Sequence, residues 1–200
     1  MARVLVACEY SGVVREAFRA RGHNAWSCDI LTADDNSRYH LQADVREVLR
    51  AANGWDLIIA HPPCTYLSVA GNRHYANRPD LYEPAAEFAT MFFDYAPRVA
   101  VENPVGRLSK LYRKPDQYIH PWMFGHPVQK KTGLWLKGLP KLTPTNVVDP
   151  DEDVVFPSGK RMNKWYYETS LLPHKERAHV RSRTFQGIAE VMADQWGPLL

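Results

Sequence analysis

Two hundred residues, 45% of them apolar and 24% charged, are enough for one domain with a buried core, of ordinary globular composition. No window is apolar or long enough to cross a membrane, Val4-Leu5-Val6-Ala7 opens a strand where a secretory leader would lie, and Cys8, Cys28 and Cys64 are too few and too scattered for a disulfide framework or a zinc site. The expected compartment is the cytoplasm, and no metal is expected.

The net charge of +3 is unevenly spread. Arg107 to Lys141 carries eight Lys/Arg against Asp116 alone, and Ser158 to Arg183 carries seven against Glu168 and Glu176. A basic second half on an acidic first half suits one face to a polyanion. A solvated surface with chance clustering is the plain alternative, and salt dependence of nucleic-acid binding separates the two.

In chain order, residues 3–7 read as a buried strand, and Ser11-Gly12 opens a helix through Val13, Val14, Ala17 and Phe18 to Arg21-Gly22. Asn24 to Cys28 is a second strand ending at Asp29. Leu41 to Val45 is a short third strand or turn carrying Asp44, before a helix to about Ala52. Asp56 to Ala60 is the next strand, stopped by Pro62-Pro63. Residues 65–80 are polar and read as a loop. Leu81 to Tyr95 is a helix with alanines and aromatics at helical spacing, and Arg98 to Glu102 a strand ending at Asn103-Pro104. Thr132 to Leu136 is a late strand, 139–164 reads as loop, and Phe185 to Trp196 closes the chain as a helix. Strands alternating with helices predict an α/β sandwich with a mostly parallel central sheet and helices on both faces.

Four constellations carry chemistry. Cys64 follows a buried strand at its carboxyl end, where open α/β sheets bind ligands, and thiolates attack electron-poor carbons. Most free cysteines are small buried hydrophobes, but ordinary core strands avoid the Pro-Pro that precedes this one. Glu102 ends a second buried strand, where a desolvated carboxyl can stay protonated and donate a proton. Cys8, Glu9, Tyr10, Ser11 and Gly12 follow the first strand and precede a helix, with backbone amides available at its start. Asp29, about twenty residues on, is placed to take ribose hydroxyls, with Ile30 beside it, and Asp44 could reach a purine edge. Neither a dinucleotide-type glycine fingerprint nor a Walker loop is present. Lastly, Lys130 and Lys131 enter a strand, and Arg161, Lys164, Trp165, Tyr166 and Tyr167 mix cations with aromatics, as nucleic-acid surfaces do.

In order and spacing these pieces resemble the DNA cytosine-5 methyltransferase family, in particular its short phage-type members associated with DNA modification and restriction. Val4 to Gly12 is similar to the first cofactor motif, His61-Pro62-Pro63-Cys64 to the Pro-Pro-Cys nucleophile motif, and Glu102-Asn103-Pro104 to the Glu-Asn motif. Gln129-Lys130-Lys131 is loosely similar to the Gln-x-Arg-x-Arg motif, and Thr184 to Trp196 to the closing helix. The resemblance implies a Rossmann-like class I methyltransferase sandwich formed by 1–138 and 179–200, with 139–178 as a reduced target-recognition insert. It implies S-adenosylmethionine as cofactor, held by Cys8, Glu9, Tyr10, Ser11, Gly12, Asp29, Ile30, Asp44, Val45 and Pro62. It also implies a double-stranded DNA partner touched by Pro63, Asn72, Arg73, Asn103, Lys130, Lys131, Arg161 and Lys164. The implied catalytic pair is Cys64, adding to carbon-6 of a flipped cytosine, and protonated Glu102, hydrogen-bonding ring nitrogen-3. Loop 65–80, with Tyr66, His74 and Tyr75, would close over that base.

Three departures matter. The first motif lacks the Phe-x-Gly-x-Gly form, Thr65 stands where Gln is common, and the insert is short, which implies low sequence specificity. Modification of free dCMP, or a non-catalytic DNA-binding or decoy role, are the alternatives. An amino-methyltransferase would want an aromatic directly after the Pro-Pro, where Cys64 stands.

Overall fold

The computed structural model describes residues 1–52, 54–75 and 77–200, and the side chains of all of these but Ala70, Asn72 and Arg73. The expected contacts of Asn72 and Arg73 therefore lie outside the described residues.

β1 (Arg3–Ala7) is the central strand, and Val4, Leu5, Val6 and Ala7 are all fully buried. A strand covered on both faces reads as a continuous apolar run, which is why it is visible in sequence. α1 (Val13–Ala20), β2 (Asn24–Asp29), β3 (His40–Gln42) and α2 (Val45–Ala51) complete the first half. β4 (Leu57–Ala60) then pairs with the other side of β1, so the strand order reverses between β1 and β4. One helical turn, α3 (Asn72–Tyr75), and α4 (Tyr82–Thr90) lead to β5 (Arg98–Pro104). α5 (Leu108–Leu111), β6 (Gln117–Ile119) and β7 (Thr132–Lys137) follow.

The sheet order is β3-β2-β1-β4-β5-β7-β6. The first five strands are parallel, and β7 runs antiparallel between β5 and β6. Alternation sorts the two faces. Val4, Val6, Leu57, Ile59, Ala100 and Leu134 pack with α1 and with α8 (Gln186–Trp196). Leu5, Ala7, Ile58, Ala60, Val99, Val101 and Trp135 pack with α2, α4 and Phe92. The expected α/β sandwich, with a mostly parallel sheet and helices on both faces, is present.

Some expectations are corrected. Residues 139–164 contain a small hairpin, β8 (Val154–Val155) with β9 (Arg161–Met162). α6 (Lys164–Ser170) and α7 (His174–Ser182) follow, and α7 runs through the expected boundary between 178 and 179. Residues 65–80 are only partly loop. Leu67 is fully buried, and Ser68 pairs with Gly106 as a β-bridge. The Arg107 amide donates to the Leu67 carbonyl at 2.7 Å. A Cβ on Gly106 would lie 1.9 Å from that carbonyl, so the approach requires glycine. The segment after Cys64 is thereby fastened to the segment after β5. Among the described residues no helix is long and apolar enough to cross a membrane.

Candidate active site

His61 and Glu102 meet because of sheet register. β4 and β5 are parallel with Ala60 opposite Val101, so residues 61 and 102 continue side by side past the last paired positions. His61 Nδ1 and Glu102 Oε2 are 2.8 Å apart, with side chains 8% and 19% exposed. Pro62-Pro63 then turns the chain and leaves Cys64 half-buried. Cys64 caps that turn, its carbonyl accepting from the Leu67 and Ser68 amides at 3.0 and 2.8 Å.

The electrostatics reverse one expectation. Burial works against ionisation of Glu102, but the hydrogen bond from His61 and the charges of His61 and Lys130 outweigh it and hold the carboxyl below its ordinary range. The resting site therefore contains a carboxylate, where the sequence reading expected a protonated acid. Burial, followed by the negative charge of Glu102, pushes the Cys64 thiol up, and Lys130 only partly offsets this. A resting thiol must lose its proton as it reacts.

Lys130 ties α6, α7 and the start of the closing helix to this site. Its Nζ donates to the Arg181 carbonyl at 2.9 Å and lies 5.7 and 5.9 Å from the ring centres of Trp165 and Phe185. It also lines, with His61, Glu102, Thr132, Phe185 and Met192, a narrow crevice. Tyr166 of α6 stands close by. Burial raises its phenol, and the charges of Cys64 and Glu102 add to that. Lys131 is exposed and sits over the Tyr118 ring at 4.4 Å. Arg161 and Lys164 are paired with Asp153 at 3.3 Å and Asp151 at 3.5 Å, so much of the local positive charge is offset. Pro63 is exposed beside Cys64, and Pro62 is buried. Asn103 is only 1% exposed and its Nδ2 donates to the Pro62 carbonyl at 3.0 Å. It braces the Pro-Pro turn, and burial removes it from the expected nucleic-acid contacts.

The β1 mouth is also corrected. Glu9 is 4% exposed and accepts from the Val14 and Arg15 amides at 2.7 and 3.2 Å. It caps α1, whose preceding residue Gly12 has φ 73° and offers no side-chain cap. The helix-start amides expected to face a cofactor are thus already used, and so is the Glu9 carboxyl. Gly12 suits this position because its φ of 73° lies in the left-handed region that L side chains rarely adopt. Arg15 is fully buried, donating to Ser27 Oγ at 2.8 Å and paired with Asp35 and Glu16. Ser11 Oγ is 3.4 Å from Glu9, and the Tyr10 hydroxyl is 2.6 Å from Ser182 Oγ and 3.3 Å from His179 Nδ1. Tyr10 thus braces α7. Asp44 caps α2 through the Arg46 amide, and its hydrogen bonds to Arg46 hold its carboxyl down to about 2. Val45 is buried beneath it.

Asp29 and Ile30 remain open at the end of β2. Ile30 is 72% exposed, and Asp29 Oδ1 accepts from the Leu31 amide at 2.9 Å. Cys8 lies between them and β1, its thiol driven up by burial and by Asp29. A carboxyl beside an exposed apolar side chain fits the ribose and adenine of a nucleoside cofactor. Among the described residues, no group of three or more His, Cys, Asp or Glu could hold a metal ion.

A sheet that reverses order beside β1 and carries antiparallel β7 between β5 and β6 defines a Rossmann-like fold. Among solved structures the chain is similar to the Entamoeba histolytica methyltransferase EhMeth, at 12% identity and a TM-score of 0.51 over 74% of this chain and 58% of that one. It is also similar to an E. coli prophage-encoded protein described as a DNA modification methyltransferase, at 14% identity and a TM-score of 0.48 over 74% and 52%. The chain thus spans little more than half the length of these proteins, and the likeness is one of fold. Neither a protein-family model nor a curated protein matches it.

Proposed function

We propose that the chain is an S-adenosylmethionine-dependent methyltransferase that modifies cytosine at carbon-5 in DNA through a Cys64 adduct, with little sequence preference. One observation carries the reading: a half-buried thiol stands beyond the end of one strand, and a carboxylate on the adjacent parallel strand acts on that thiol's ionisation. The ordered sequence motifs and the Rossmann-like fold support it.

Asp29 and Ile30 would hold the adenosine part of the cofactor, with Cys8 and Pro62 as apolar neighbours. When bound, S-adenosylmethionine supplies an electrophilic methyl group. Carbon-5 of cytosine is a poor nucleophile, and addition of the Cys64 sulfur to carbon-6 makes it an enamine carbon able to attack. Glu102 meets nitrogen-3 and offsets the charge developing there. Lys130 stabilises the two negative groups, and Tyr166, reaching in from the 139–178 insert, walls the base site. Duplex DNA hides carbon-6 in the stack, so the base must leave the helix to reach Cys64.

Mass analysis of DNA nucleosides after incubation with S-adenosylmethionine should show 5-methylcytosine. Its absence, under conditions where cofactor binding is measured by calorimetry, removes the reading. The acid-paired state of Arg161 and Lys164 favours one second reading, a free pyrimidine nucleotide as substrate, because fewer cations remain for a polymer. Turnover of dCMP without turnover of oligonucleotide would select it.

A further inference from the structure

His61 stands just before the Pro-Pro-Cys turn, and its imidazole is enclosed. One nitrogen, Nδ1, is 2.8 Å from Glu102 Oε2. The other, Nε2, is buried and has no hydrogen-bond partner among the described residues. The charged groups around the ring come from every neighbouring element. Glu102 comes from β5 and Glu9 from the β1–α1 turn, where the imidazole charge is the strongest influence favouring the Glu9 carboxylate. Lys130 comes from the segment before β7, and Cys64 and Tyr166 are within electrostatic reach of Glu102. The α8 side presents only Thr184, Phe185, Ile188 and Met192.

A carboxylate alone has no proton to give to a ring nitrogen. An imidazolium bonded to it does. We infer that His61 stores the proton that Glu102 hands to the pyrimidine, the two side chains working as a single acid. The inference rests on the cytosine chemistry proposed above. As the Cys64 sulfur bonds to carbon-6, the C5–C6 double-bond pair moves to C4–C5 and the C4–N3 pair moves onto nitrogen-3. The proton passes from Nδ1 of His61 to the Glu102 carboxylate, and from the carboxyl to nitrogen-3. The thiol's own proton goes to solvent water, His61 ends neutral and Glu102 is again a carboxylate. Once carbon-5 has reacted, the proton on nitrogen-3 returns by the same route, and water takes the carbon-5 hydrogen as a proton, so that the C5–C6 double bond re-forms and the C–S bond breaks. His61 touches no substrate atom and is a positioning residue.

The test is the pH profile of covalent trapping on a 5-fluorocytosine oligonucleotide with S-adenosylmethionine present, for the wild type, His61→Asn and His61→Gln. Either amide keeps an N–H for Glu102 but stores no acidic proton. Both variants should trap about 100-fold more slowly, and the alkaline limb of the profile should move down by about one pH unit or more. An unchanged rate, or a wild-type profile merely scaled down, makes the imidazole a structural prop and overturns the inference. Should neither variant melt cooperatively, nitrogen NMR on the wild type decides instead. At the pH of fastest trapping, both His61 ring nitrogens should carry protons before the adduct forms and only one after. An imidazole already neutral beforehand overturns the inference. A wild type that forms no adduct removes the cytosine reading, and this inference with it.

Discussion

Two mouths of the same sheet each shelter a carboxyl, and their surroundings drive the two in opposite directions. At the end of β1, burial dominates and raises Glu9, although the Val14 and Arg15 amides and the charge of His61 pull it down. At the end of β5, burial is again the largest single influence, yet His61 and Lys130 together outweigh it and Glu102 is lowered. Backbone amides are partial charges, whereas a hydrogen-bonded imidazole backed by an ammonium is a countercharge. Depth therefore does not tell a structural acid from a reactive one. The partner does. Glu9 completes a helix start, and Glu102 is electrically wired to a thiol.

The sharpest way to break this contrast is at the thiol itself. Cys64→Ser should abolish trapping on 5-fluorocytosine DNA, read as loss of the slow-migrating band on a denaturing gel, while leaving the urea midpoint almost unmoved. Glu102→Gln should slow trapping by about 10²- to 10⁴-fold. It should also make Cys64 easier to ionise, because Glu102 is the charge that pushes the thiol up. Alkylation by iodoacetamide should then begin at lower pH, and an unshifted profile would uncouple the pair.

At the other mouth the readout is stability. Glu9→Ala strands two buried amides and should cost about 1–3 kcal/mol by urea denaturation. Glu9→Gln separates charge from capping. A carboxyl raised in the folded state loses native stability as pH climbs above its ordinary value of 4.5. The advantage of Gln should be absent below that pH and grow above it. Glu102 carries the opposite sign. Its lowered carboxyl contributes stability above the ordinary value, and this is lost as pH falls through the depressed one, so the deficit of Glu102→Gln should fade on acidification. Parallel slopes for the two Gln variants would erase the contrast. The smallest effect is expected at the insert. Arg161→Ala and Lys164→Ala, already paired with acids, should change DNA affinity less than about threefold in a salt titration.

Much of the scaffold was legible because buried parallel strands read as unbroken apolar runs. β1, β4 and β5 stand out for that reason, and so do the strand ends that present Cys64 and Glu102. What sequence hid had little apolar signal. α7 buries no residue, so no periodicity marks it, and β6 is only three residues long. Trp165 and Tyr166 read from sequence either as core aromatics or as a nucleic-acid surface, and neither reading places the helix that carries them beside the site. The His61–Glu102 pair depends on the Ala60–Val101 register, which no local pattern encodes. Glu9 reads from sequence as a ligand contact because its cap reaches five residues ahead. The absence of a Ser, Thr, Asp or Asn at Gly12 was the available clue. The buried Arg15 had no such clue, since its partners Ser27 and Asp35 lie far along the chain.

The sheet's two margins, β3 and β6, are strands of three residues each. Little free main-chain edge is left on either side for another copy to zip onto, so lateral β-stacking is blunted at both borders. Crowding this protein should accordingly favour side-chain-mediated association over fibre growth.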